Sequence, residues 1–307
     1  PITFPGKGAF PGKGHNPFQI PTPEPPPVVD PAFPNPGGAF HYPIQISLTD
    51  GGWLLVSDSR RKAVLRVDPW TLLPDQSLPI SGTPLAAAML GTDVFVGVME
   101  IEAIQRFDHR GIHQGYLAAP GTIGHPCDLA TDRMAGLIFA LDCLSGEVRV
   151  YNTSDGPFYD VIAAGELMSP TGIAIDTENL ELFISDYGNV LQPASVKVFS
   201  YRQEKFGALV ATISGGGECG WFGCIGGFSR PRGPAVRNGV VYFPDCIYHQ
   251  VLMYDRTTLA MVGALGTGDP AIGDLRIPTD MAIGPFGDVY VTSIYSNSVV
   301  VFWGGAP

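Results

Sequence analysis

The sequence predicts an all-β protein of short strands, and three observations carry that prediction. Glycine and proline number 39 and 29 of 307 residues, more than a fifth of the chain and too many for a helical bundle. Yet 45% of the residues are hydrophobic, enough to build a sizeable core. The two facts fit together when the apolar residues form short runs and the Gly and Pro lie between them as turns. Finally, a proline-headed pattern recurs six times after residue 40. Charge and cysteines then narrow the function. With 18 basic and 29 acidic side chains, the net charge is −11, which repels phosphate backbones and argues against nucleic acid as a partner. Lysine occurs only at Lys7, Lys13, Lys62, Lys197 and Lys205, so there is no polybasic cluster for an anionic membrane. No apolar run reaches the roughly 18 residues of a membrane span. The five cysteines show no C-x-x-C or paired zinc spacing. In a chain so poor in Lys, they point to an oxidising compartment and a secreted, extracellular protein. The chain opens on proline without a leader, and reads as processed or trimmed.

Residues 1–40 are predicted to be an extended arm. They hold a tandem duplication, Phe4-Pro-Gly-Lys-Gly8 and Phe10-Pro-Gly-Lys-Gly14, followed by Pro21-Thr-Pro-Glu-Pro-Pro-Pro27. Proline lacks the amide donor and glycine is entropically costly, so no helix forms here. The proline run favours the stiff polyproline II conformation. Spaced apolar anchors at Ile2, Phe4, Phe10, Phe18, Ile20, Val28 and Val29 set this stretch apart from a purely solvated linker. It is either a disordered tail or an arm that lies along a surface.

Residues 41–307 are predicted to form the second unit, a six-bladed β-propeller. Each repeat opens with proline and a short apolar strand, continues with a strand often ending in Ser-Asp, and closes with a third apolar strand. The segments are 43–50, 53–58 and 64–68 in unit one, and 84–88, 93–97 and 104–108 in unit two. They are 126–132, 137–142 and 148–151 in unit three, and 170–176, 182–186 and 196–199 in unit four. Unit five has 231–236, 240–245 and 251–255, and unit six has 278–283, 288–292 and 299–302. The opening prolines step by 41, 42, 44, 61 and 47 residues, with one insertion in the long step. Such periods denote blades around a central channel. Units one to five are each followed by a candidate outer strand: 77–80, 112–117, 158–162, 208–213 and 259–265. Unit six is not. Its last strand, with Val299, Val301 and then Trp303, is predicted to be an open edge that the arm fills, in its own ring or in a neighbour's.

The pattern P-x-[GD]-h-A-h-D, G-x-h-h-h-[ST]-D, V-x-h-F-D resembles the NHL-repeat family over residues 41–303. Units three, four and six match best, unit two lacks the Ser-Asp, and unit five carries an extra Pro234. The resemblance implies a six-bladed ring. It also brings in relatives that are lyases, lactonases and esterases with a metal at the channel. Here His125 precedes the unit-three proline, but its counterparts are Tyr42, Thr83, Ser169, Arg230 and Ile277, a poor ligand ring. Asp128 and Asp280 occupy matching positions in units three and six. With His125 they form a candidate channel ion site, although such aspartates more often bind turn amides. Asp58, Asp142, Asp186 and Asp245 recur in register at the ends of second strands, which marks an architectural role.

No nucleophile elbow, P-loop or dinucleotide fingerprint is present. The Gly-rich stretch 215–227 lacks the Lys-Ser/Thr of a phosphate cradle and is read as a loop inside the 61-residue step. Cys127 begins the first strand of unit three and Cys143 follows its second, so antiparallel pairing brings them together for a disulfide. Cys246 can pair with Cys219 or Cys224, or those two can bridge each other. The leading expectation is a secreted, non-catalytic propeller for assembly, with no cofactor, pairing with itself head to tail or with another protein. The alternatives are a metal-dependent lyase or hydrolase with a channel site, and a monomeric protein- or ligand-binding propeller.

Overall fold

A computed structural model describes residues 39–153, 156–215, 219–220, 223–224, 227–268 and 275–304. The arm anchors Ile2, Phe4, Phe10, Phe18, Ile20, Val28 and Val29 lie outside these described residues. Six antiparallel sheets, each a simple meander, form the blades. Blade one holds Pro43–Leu48, Leu54–Asp58, Ala63–Val67 and Pro74–Pro79. Blade two holds Pro84–Leu90, Asp93–Val98, Ala103–Phe107 and His113–Ala118. Blade three holds Pro126–Asp132, Leu137–Asp142, Glu147–Asn152 and Gly156–Ile162. Blade four holds Pro170–Asp176, Glu181–Asp186, Ser195–Ser200 and Leu209–Ser214. Blade five holds Ala235–Arg237, Val240–Asp245, Gln250–Asp255 and Met261–Leu265. Blade six holds three strands among the described residues: Pro278–Ile283, Val289–Ser293 and Ser298–Phe302. The inner strands pack side by side around a channel, and that of blade six meets that of blade one to close the ring.

The strands are apolar on both faces because each sheet is covered on both faces. The six buried clusters are the six seams between neighbouring blades. In blade four, for example, Leu182 and Ile184 face blade three while Phe183 faces blade five. The period-two alternation of the strand therefore feeds two different cores.

A buried residue stands three or four places before each inner-strand proline: Phe40, Ile80, Ile123, Leu167, Phe228 and Leu275. Phe40 thus belongs to the ring, and it packs with Ile46, Ala282 and Val299 at the seam of blades one and six. Blade five departs from its siblings. Pro234 cannot donate to a ladder, so its inner strand shrinks to Ala235–Arg237 with a single bridge from Pro231 to Asp245.

Cys127 and Cys143 form a disulfide with Cα atoms 5.9 Å apart. Cys246, by contrast, is a buried free thiol rather than a bridge partner, with the Tyr187 hydroxyl 3.8 Å from its sulfur. Cys219 and Cys224 pair directly in a two-strand hairpin, and their side chains lie outside the described ones.

Candidate functional site

The repeated aspartates build the upper face of the ring, where the inner strands begin. Asp142 accepts the N–H groups of Gly124 at 2.8 Å and His125 at 2.9 Å, before the proline, and of Leu144 at 3.0 Å beyond its own strand. Asp186 does the same for Met168, Ser169 and Gly188 at 3.0, 2.8 and 3.0 Å. Asp245 takes Ser229, Arg230, Ile247 and Tyr248, and Asp58 takes His41, Tyr42 and Arg61. Burial pushes the Asp142 and Asp186 carboxyls up, but the converging N–H groups outweigh it and hold both below the usual range. Glu100 fills the role in blade two through Thr83, and Ser293 in blade six through Arg276. Each clamps the segment that enters its blade to the end of that blade's second strand.

Inside the channel, a bulge after each inner-strand proline in blades one to four and six turns the next residue inward. These positions are Gln45, Ala86, Asp128, Gly172 and Asp280, with Gly233 matching them in blade five. Three of them are polar, and each ties its blade to the next. Gln45 Oε1 accepts Ala87 N–H at 2.9 Å, Asp128 Oδ2 accepts Ile173 N–H at 2.8 Å, and Asp280 Oδ2 accepts Ile46 N–H at 2.8 Å. The small residues allow close approach: a Cβ on Gly172 would fall 2.3 Å from Gly233 Cα, and one on Gly233 would strike Asp280.

Gln45, Asp128 and Asp280 form a waist between two cavities. A larger cup of about 340 Å³ on the proline side is lined by His125, Tyr42, Thr171 and Arg232, among others. A smaller one of about 190 Å³ lies beyond the waist. Burial raises the Asp128 carboxyl to about 7, against the pull of the Ile173 and Leu129 N–H groups and Gln45. Burial and then Asp128 raise Asp280 well above the ordinary range, opposed by Ile46, Met281 and Arg232. His125, Asp128 and Asp280 therefore do share one cup. The carboxylates are nonetheless turned to backbone amides, and among the described residues no three His, Cys, Asp or Glu side chains gather as metal ligands. Gln45 and Arg232, the latter with a buried unpartnered Nε, were not singled out by sequence. Aligning the residue two places after each proline would have found Gln45.

The second candidate surface is the edge of blade six. Val299 and Val301 face the seam with blade one, and Val300 and Phe302 the seam with blade five. Among the described residues nothing pairs with the outer backbone of Ser298–Phe302. Trp303 does not extend that edge. It stacks on Trp70 of blade one, with centroids 5.5 Å apart and planes 5° apart.

These features define a six-bladed β-propeller, and solved structures agree on that class. The chain is similar to Kuenenia stuttgartiensis hydrazine synthase, at 15% identity and TM-score 0.63 over 87% of this chain and 97% of that one. It is similar to gluconolactonase XC5397 from Xanthomonas campestris, at 16% identity and TM-score 0.64 over 88% and 89%. A chain of a nidogen/laminin complex matches at 15% identity and TM-score 0.60, over 73% and 79%. No family model and no curated protein matches the sequence. The likenesses show the fold, which hosts both enzymes and protein-binding modules.

Proposed function

We propose that the chain is a secreted, non-catalytic propeller of NHL type that serves as an assembly subunit, its N-terminal arm completing an open blade edge by strand addition. One observation carries the reading: among the described residues, five blades have four strands and the sixth has three. An unpaired apolar strand is a template for another chain, and main-chain pairing supplies affinity while side-chain pockets supply specificity. When the arm comes from the next subunit, the contact is heterologous and does not close, and a filament results. Phe4, Phe10, Phe18 and Ile20 then fill pockets on the neighbour. The disulfide fits an extracellular setting. Deleting residues 1–38 tests the reading while sparing Phe40. The truncated protein is expected to be monomeric by light scattering and electron microscopy. Oligomers identical to those of the full chain would sink it.

A second reading has its own support. Phe40 sits in the seam beside Val299, so the arm starts next to its own edge and self-closure makes a monomeric binding module. A monomeric mass at high concentration favours that form. The channel cup with its two raised carboxylates supports a metal-dependent hydrolase less well, and elemental analysis that finds no stoichiometric Ca, Zn or Fe removes it.

A further inference from the structure

An aromatic surface lies at the seam of blades six and one, at the far end from Phe40. Trp70 and Trp303 stack there, Phe286 lies 6.4 Å from Trp70, and Tyr290 meets Trp303 edge-on. Phe286 is 63% exposed and both tryptophans are half-buried. Such a surface matches the aromatic grooves that hold polyproline II segments, whose ordering cost is already met.

The topology says which segment reaches it. The third strand of blade six runs from Ser298 to Phe302 and ends at Trp303. Its start adjoins the arm's root, where the Asn297 amide faces the His41 carbonyl. In every complete blade the outer strand is antiparallel to the third. An added strand that leads up to Ala39 therefore enters beside Trp303 and leaves beside Ser298. In blades one to three the outer strand ends at Pro79, Ala118 or Ile162, five or eight residues before the next inner proline. The same spacing before Pro43 ends the added strand at residues 35–38. Five paired residues then put its start at residues 31–34. Pro27, the end of the proline run, precedes that start by four to seven positions, about 12–22 Å at about 3.1 Å per residue, on the Trp303 side.

We propose that residues 21–27 of the arm dock on the Trp70, Trp303 and Phe286 surface, beside the entry of the strand that fills the edge and independently of it; the proposal rests on the strand-addition reading. The test uses the full chain labelled with 5-fluorotryptophan, its resonances assigned through Trp70→Phe and Trp303→Phe. Replacing Pro21, Pro23, Pro25, Pro26 and Pro27 with serine is expected to shift the Trp70 and Trp303 resonances while Trp53 stays in place. Amide protection along Ser298–Phe302 should persist in the same variant. Unmoved Trp70 and Trp303 resonances with the edge still protected would overturn the docking site and leave the strand addition standing. Loss of edge protection together with the shift would also overturn it, since the prolines would then act on the strand. An edge unprotected in the unsubstituted chain would bring down the strand-addition reading itself.

Discussion

At the scale of single residues, the account turns on carboxylates used as backbone acceptors. Asp142 and Asp186 each gather at least three N–H groups from two loops, so alanine at either position leaves several buried donors unmet. We expect Asp186→Ala to cost about 3 kcal/mol in urea unfolding, since one orphaned buried group costs ~1–3 kcal/mol. A loss under ~0.5 kcal/mol would deny the clamp. The channel pair carries the opposite sign. Asp128 titrates at about 7 in the fold, above its unfolded value near ~4. Its contribution is therefore complete below about pH 4 and is lost as pH rises through about 7. Asp142 and Asp186 are held low, so theirs is present above about pH 4 and is lost on acidification. The melting temperature should therefore peak in mild acid and fall toward pH 8, and Asp128→Asn should flatten that fall. An unchanged slope in the variant would contradict the assignment. The repeat made the clamps legible, because four of six stand at one position. Glu100 and Ser293 escaped because each plays the same part from a different side chain or offset.

At the scale of elements, blade three is stapled and blade six shows three strands among the described residues. The disulfide closes a 16-residue separation, and a loop of that size is worth about 3 kcal/mol. Replacing Cys127 and Cys143 with serine should lower stability by about that amount without changing the ring. Phe40 is the other structural staple. Phe40→Ala should cost ~3–5 kcal/mol, the usual loss for a buried phenylalanine. A loss below ~1 kcal/mol would place Phe40 with the arm after all. The strand pattern was readable because each blade is apolar on both faces and begins at a proline. The boundary at residue 40 was less so: composition changes there, but Phe40 already packs in the ring, at the place where the repeat's buried residue falls. Trp303 was read as part of an edge because sequence shows where a strand ends, not what lies across a seam. Only the closed ring brings it to Trp70.

At the scale of the whole molecule, the six-blade ring was legible and its use was not. Fold follows from local repetition, and every unit states it again. On the proposed reading, function depends on a blade edge that is unpaired among the described residues and on an arm whose partner is a long-range contact, which no repeat encodes. The central claim is that the arm supplies the strand for this edge. Hydrogen exchange on Ser298–Phe302 tests it most directly, comparing the full chain with one lacking residues 1–38. The account predicts slow exchange in the full chain for the outward-facing amides of this strand, and rapid exchange after truncation. Equally rapid exchange in both would contradict it.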